Sequence, residues 1–242
     1  MYAIDIQGLS KRYGKTLAVD DLTLQVPEGE LLSLLGVNGA GKTTTVKMLS
    51  CLTRPTAGDA LLLGKSIRRD ASAVKAMISV SPQETAIAAR LTAQENLELM
   101  YGVHGLPKEK REEKLQELTE LLNLNSIMDR KAGKLSGGWQ RRLSIAMALI
   151  SEPKILFLDE PTLGLDVLAR ADLWRIITAL KGKVTVILTT HYMEEAEALS
   201  DRVAIMKEGR LLVCDTPQNI KKAAQTDSFE QAFIRTVQGV NV

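Results

Sequence analysis

Residues 36–43 read GVNGAGKT and fill the spacing G-x-x-x-x-G-K-[ST]. The glycines let the backbone wrap closely around phosphate oxygens, with main-chain N–H groups pointing inward. A helix starting behind such a loop adds positive potential. Lys42 would then reach the β- and γ-phosphates of a nucleotide and the Thr43 hydroxyl would hold Mg²⁺. Asn38, Gly39, Ala40, Gly41 and Thr44 complete the cradle. At average composition, chance produces this pattern in only about 1% of chains of this length. Its setting, after an apolar run and before a helical stretch with Val46 and Leu49, makes chance a poorer account still.

A second set of residues sits where other apolar runs end. Residues 155–158, ILFL, lead into Asp159, Glu160, Pro161 and Thr162. Neighbouring residues of a strand point to opposite faces, so two carboxylates acting on one ligand must leave the strand into a loop. Loops beyond the carboxyl ends of strands are where open α/β sheets bind ligands. There Asp159 would support Mg²⁺ through water, and Glu160 would polarise an attacking water. Residues 184–188 lead in the same way to Thr189, Thr190 and His191. His191 is either a packing residue or a hydrogen-bond donor to the γ-phosphate, and residue type alone leaves both open. His104, in a Gly-flanked loop, reads as a surface residue. Gln83 follows the apolar residues 78–80 and Pro82. It is either an ordinary loop residue or an amide that ligates Mg²⁺ and touches the attacking water. Ser136, Gly137 and Gly138 precede a helix expected to begin near Arg141. They read either as a plain turn or as a second anion site, which implies two ligands or one ligand shared between two copies.

Periodicity supplies the elements that must hold these residues. Residues 1–30 read as strands and turns: Tyr2, Ile4 and Ile6 alternate with polar or small residues, and Leu17, Val19, Leu22, Leu24 and Val26 continue a period of two. Residues 31–35 form an apolar run broken only by Ser33, as in strands covered on both faces. Similar runs recur at 78–80, 155–158, 184–188 and 203–206, with helical patterns in several gaps between them. A mostly parallel sheet with helices on its faces is expected, with a hairpin turn at residues 207–210. Thr92 and Glu95 have capping-box spacing, residues 108–120 are charge-rich with leucines at helical spacing, and Leu143, Ala146, Met147 and Ile150 lie on one side of a further helix. Residues 92–150 therefore read as an all-helical insertion in an α/β unit. Residues 227–236 place Phe229, Phe233 and Ile234 at helical spacing and are expected to pack on the core.

Composition narrows the class. Across 242 residues, 31 Lys and Arg oppose 29 Asp and Glu, a net charge of +2. That balance argues against a nucleic-acid arm or a polybasic membrane patch. Apolar stretches stay well short of the ~20 residues of a spanning helix, and residues 1–11 do not read as a signal segment. Cys51 and Cys214 are too far apart in sequence for a metal spacing or a disulfide framework. The expectation is a soluble, cytosolic, globular protein.

In chain order, Tyr13, GVNGAGKTT, Gln83, LSGGWQ, ILFLDEPT, the loop from Leu163 to Asp166, and His191 resemble the ATP-binding subunit of ABC transporters over essentially the whole chain. The Asn38-containing phosphate loop, Gly164–Leu165–Asp166 and THYMEEAEAL resemble the branch serving type-2 exporters of drugs, antibiotics, lipids, polysaccharides and ions. The resemblance implies an α/β P-loop NTPase: a RecA-like core of mostly parallel sheet, an N-terminal antiparallel β subdomain and an inserted all-helical subdomain. It implies one ABC ATPase domain over residues 1–242. The β subdomain and core take about 1–86 and 152–220, the helical subdomain about 87–151, and a short tail 221–242.

The same resemblance implies an active ATPase using ATP and Mg²⁺, with Glu160, His191, Gln83 and Lys42 catalytic and Thr43, Gln83 and Asp159 around the metal. It implies a head-to-tail dimer holding two ATPs. Each ATP touches the phosphate loop of one chain and Ser136, Gly137 and Gly138 of the other, with an identical second subunit preferred over a paralogue. Tyr13 would stack on adenine, and Asp166 would link the two sites. Gln83 and the helical segment after it would sense nucleotide and receive a separate membrane permease at the cytoplasmic face of the cell membrane. No nucleic-acid partner is expected. Two residues depart from the family pattern: Trp139 stands where Gln is usual and Val37 where Pro is frequent. A rival reading is a soluble ABC-type ATPase acting on ribosomes or DNA, whose tandem units or long coiled coils this chain lacks. An importer subunit is another, and those often carry a longer C-terminal regulatory domain.

Overall fold

The alternation at the start of the chain forms two long strands, β1 (Tyr2–Tyr13) and β2 (Thr16–Pro27), paired antiparallel. The computed structural model describes residues 1–239. The apolar run becomes β3 (Leu31–Leu35), which passes through the phosphate loop into α1 (Lys42–Leu49). Two further strands, β4 (Ala57–Leu62) and β5 (Lys65–Ser66), complete a four-stranded antiparallel sheet ordered β2-β1-β4-β5.

After α2 (Ala71–Met77) and β6 (Ile78–Ser81) the chain enters the helical insertion: α3 (Ala93–Val103), α4 (Arg111–Leu121) and α5 (Gly137–Leu149). It returns through β7 (Ile155–Asp159), α6 (Val167–Thr178), β8 (Thr185–Thr190) and α7 (Met193–Leu199). The hairpin β9 (Arg202–Lys207) and β10 (Arg210–Asp215) follows, then α8 (Pro217–Ala223) and α9 (Phe229–Gln238). The second sheet has the order β10-β9-β3-β8-β7-β6 and is parallel except for the β9–β10 edge. Among the described residues no helix is long and apolar enough to cross a membrane.

Strand alternation divides the core. Leu31, Leu156, Leu158 and Leu188 face the helical insertion and meet Leu97, Leu118 and Leu143. Leu32, Leu34, Phe157 and Ile187 face the other way and meet Val46 and Met48 of α1 and the apolar rows of β1 and β2. β3, β7 and β8 are buried at every position, each apolar side chain contributing about 1.5–3 kcal/mol of transfer free energy. The expected capping box forms at α3: Thr92 Oγ1 accepts the Glu95 N–H at 3.1 Å, and Glu95 Oε2 accepts the Thr92 N–H at 2.7 Å.

Three expectations are corrected. α5 begins at Gly137, with Ser136 as its extended N-cap residue, and not near Arg141. A Cβ on Gly138 would lie 3.0 Å from that of Ala169, so the close approach of α5 to the start of α6 requires a residue without a side chain. That packing outweighs the weak helix propensity of glycine, about 1 kcal/mol per residue. α5 is also buried at every residue from 141 to 149 and not along one side alone. In the tail, Phe229 and Phe233 are buried, but Ile234 is 42% exposed, because it is turned about 100° from Phe233 around the helix. Residues 240–242 of the expected tail lie outside the described residues.

Candidate active site

Close contacts dictate the shape of the loop between β3 and α1. Gly41 has φ +101°, and a Cβ there would stand 2.6 Å from the Ala18 carbonyl oxygen. A Cβ on Gly36 would stand 2.5 Å from the Met206 carbonyl oxygen. The Gly209 N–H donates to Ala40 O at 3.1 Å, which ties the β9–β10 turn to the loop. Inside the loop, Lys42 Nζ donates to Gly36 O at 2.7 Å and lies 3.7 Å from Glu160 Oε1. Burial holds the Lys42 ammonium below its ordinary pKa, against the pull of Glu160 and Asp159 in the other direction.

The two carboxylates reach one ligand site by a backbone device. Asp159 is the last residue of β7, and Glu160 takes the left-handed conformation at φ +49°. This single turn cancels strand alternation. The Thr189 hydroxyl donates to Asp159 Oδ1 at 2.5 Å and accepts the Glu160 N–H at 3.0 Å. Thr43 Oγ1 lies 3.4 Å from the same Asp159 oxygen. Glu160 Oε2 is 2.7 Å from His191 Nδ1. Adjacent strands β7 and β8 thus deliver the base candidate and the histidine side by side.

These groups surround a cavity of about 680 Å³. Asn38, Gly39, Ala40, Gly41, Lys42, Thr43, Thr44, Gln83, Glu160 and His191 line it, all of them expected from the sequence, and Asp159 stands behind Thr43. Leu163, the first residue of the loop to Asp166, also lines it, and Ala18 and Glu208 are among the wall residues that carried no motif. Sequence reasoning also missed two supporting side chains. Thr189 holds the Asp159 carboxylate and the Glu160 backbone N–H, and nothing in its sequence context marks it. Arg141 donates at 2.6 Å to Pro82 O and at 2.6 Å to Gln83 O, fixing the segment that carries Gln83. A cation within the apolar run of α5 was the signal available for Arg141.

Besides Asp159, five expected residues do not line the cavity. Tyr13 ends β1 and pairs with Thr16, which does line it, and the Lys11 ammonium sits 4.9 Å over the Tyr13 ring. Ser136, Gly137 and Gly138 start α5. Asp166 caps α6, accepting the Ala169 N–H at 2.9 Å. The two helix starts meet at Gly138 and Ala169 and form a group of their own. Trp139 packs beside them, with the Arg142 guanidinium 4.6 Å over its ring and Arg142 bonded to Asp172 at 2.7 Å. Chemically, a cavity walled by the backbone of residues 38–44 and by Lys42, with a carboxylate and an imidazole beside them, suits a phosphate chain.

Comparison with known proteins agrees with this geometry. The family model described as ABC transporter matches residues 19–163. The chain is 40% identical over 230 residues to the daunorubicin resistance ATP-binding protein DrrA2 of Streptomyces coeruleorubidus, covering 95% of this chain and 71% of that protein. It is 39% identical to the doxorubicin resistance ATP-binding protein DrrA of Mycobacterium tuberculosis (strain ATCC 25618 / H37Rv), covering 92% and 68%. Identity to the probable multidrug ABC transporter ATP-binding protein YbhF of Escherichia coli (strain K12) is 38%, over 97% of this chain but 41% of that protein. A solved structure described as the ATP binding subunit of an ABC transporter superposes with a TM-score of 0.86 at 27% identity, covering 97% of this chain and 99% of that one.

Proposed function

The chain belongs to the ABC transporter family as an ATP-binding subunit that hydrolyses ATP, and from that premise we propose how its residues divide the work. The main-chain N–H groups of residues 38–44 and the Lys42 ammonium hold the phosphates. Glu160 acts as the base that orients and deprotonates the attacking water. His191 holds Glu160 on one side and faces the γ-phosphate on the other, and Gln83 closes the wall opposite. The observation that carries this reading is the position of Glu160, with Lys42 at 3.7 Å from one carboxyl oxygen and His191 at 2.7 Å from the other, in the wall of one cavity.

The oxygens of Thr43 and Asp159, 3.4 Å apart, with the Gln83 amide in the same wall, form a hard donor set that fits Mg²⁺. Bound there with the phosphates, the ion would neutralise the charge that develops as the terminal phosphoryl group leaves. Thr189 keeps Asp159 turned toward that position.

Ser136, Gly137 and Gly138 lie outside the cavity, so their part is assigned to a second copy of the chain. Two chains pack head to tail, and the start of α5 of each covers the ATP of the other. Asp166, beside it, carries the state of one site to its neighbour, and Tyr13 stacks on the adenine. Identical subunits are preferred. The whole chain acts as one ABC ATPase domain, with the boundaries expected above, docked on the cytoplasmic face of a membrane permease. The relatives named for drug resistance favour export. The reading is tested by phosphate release from ATP with and without Mg²⁺, and by tagged purification from native membranes in mild detergent. Mg²⁺-dependent release and a polytopic partner in comparable molar amount are expected. Release without a membrane partner, or recovery with ribosomes, would overturn the transport role and leave the ATPase standing.

A further inference from the structure

Helix α7, which follows His191, carries a carboxyl group that the chemistry above leaves unused. Glu195 is wholly buried. Its Oε1 accepts the Trp174 indole N–H at 3.2 Å. Its Oε2 has no hydrogen-bond partner at ordinary distance among the described residues, and neither has the buried hydroxyl of Thr162. The hydroxyls of Thr162 and Thr190 are nonetheless the polar groups beside this carboxyl. Two adjacent unsatisfied groups in a sealed site call for an explanation.

Their places in the chain supply one. Thr162 stands two residues after Glu160, Thr190 immediately before His191, and Trp174 on α6, the helix that Asp166 caps. We propose that Glu195 is a positioning residue for hydrolysis, whose carboxyl clamps the turn after Glu160 to the end of β8 before His191 and so fixes the 2.7 Å Glu160–His191 contact. The inference rests on the ATPase reading. The protonated form, which burial favours, makes the clamp: its O–H donates to a threonine hydroxyl, and its other oxygen keeps the indole. A bare carboxylate would instead be a buried charge with Glu160 as its charged neighbour. Burial pushes the Glu195 carboxyl above the usual carboxylate range. Thr190, Thr162 and Trp174 pull it back, and Glu160 pushes it further up. The other neighbours of α7 on β3 and α9 bring the apolar side chains of Leu35, Phe229 and Phe233, and α6 brings the Arg170 guanidinium, which lies over the Tyr192 ring with its buried Nε unpartnered among the described residues.

The test measures steady-state ATP hydrolysis by the full chain with Mg²⁺ as wild type, Glu195→Gln, Glu195→Ala and Thr162→Val, each checked for native circular dichroism. Losing the clamp misplaces the base, so Glu195→Ala should lower kcat about ten- to hundredfold with KM for ATP nearly unchanged. Glu195→Gln keeps the shape and a donor, and should restore kcat near pH 7. Wild-type turnover should fall as rising pH takes the proton from the clamp, and the Gln variant should lack that limb. Thr162→Val should follow Glu195→Ala and carries the test if the latter does not fold. Wild-type kcat in Glu195→Ala or in Thr162→Val would overturn the clamp, as would a Gln variant no better than Ala. No hydrolysis by the wild type would overturn the ATPase reading itself, and the clamp with it.

Discussion

The Lys42 ammonium lies 3.7 Å from Oε1 of Glu160, and both side chains are more than nine-tenths buried. Neither charge is well solvated, and each partly compensates the other. The balance is visible on the lysine, where burial lowers the pKa and Glu160 and Asp159 raise it. A buried pair of this kind gains little net stability, because desolvation offsets most of the attraction. On the proposed function its value lies in the switch: a triphosphate would offer Lys42 more negative charge than Glu160 does and leave the carboxylate free to face water.

Replacing Glu160 by Gln keeps the shape and removes the charge. Phosphate release should fall at least about a hundredfold, the usual worth of a positioned base. ATP affinity, read by calorimetric titration, should hold or rise, because Lys42 no longer has a competing anion. Undiminished hydrolysis would remove Glu160 from the role of base.

Gly41→Ala tests the loop itself. The new methyl would meet the Ala18 carbonyl at 2.6 Å, in a conformation at φ +101° that side chains rarely adopt. Strain of this kind amounts to about 1–3 kcal/mol. Thermal melting should drop accordingly, and ATP binding should fall with it, since the N–H groups would no longer converge. Wild-type melting together with wild-type affinity would show that the loop has another way to close.

Trp139→Gln places the family's more usual residue at this position. Because Arg142 lies over the indole and Trp139 does not line the cavity, the change should lower stability by about 0.5–1 kcal/mol, the worth of an accessible cation–π contact. ATP affinity of the isolated chain should not move. A large loss of affinity would place the indole against nucleotide instead.

Acidity gives a separate handle on Glu195. Its pKa is raised above 4.5 in the folded chain, so the folded state holds the proton more tightly than the unfolded one. That contribution is complete below the unfolded pKa and is lost as pH rises through the raised folded value. Melting temperatures of wild type and Glu195→Gln, compared from about pH 5 to pH 8, should therefore diverge upward, the wild type losing ground. Parallel curves would mean that Glu195 ionises in the folded chain as it does in the open one.

Much of the site was legible because its chemistry is local. The cradle from Asn38 to Thr44 is one stretch of chain, and its glycines are read directly from what a close backbone turn requires. Asp159, Glu160 and His191 were found because apolar runs mark strand ends, and neighbouring parallel strands end on the same side. Thr189 and Arg141 were not found, since their roles depend on pairings across the sheet and between a helix and a loop. The start of α5 was misread for a related reason. Two glycines argue locally for a turn, and only the approach of Ala169 makes them helix. Ile234 failed on angle: Phe229 and Phe233 share a helix face that the residue after Phe233 cannot join.

The two indoles have a use beyond packing. The chain contains two tryptophans. Trp174 is bonded to Glu195 behind the cavity, and Trp139 lies at the start of α5 under Arg142. Their fluorescence therefore comes from the rear of one face and from the edge of the other, without any label. With Trp139 replaced by Phe, the remaining emission would report the environment of the Glu195 carboxyl alone. With Trp174 replaced, it would report what approaches the α5 start, so, on the proposed function, nucleotide closure and subunit contact would become separate optical signals in one small chain.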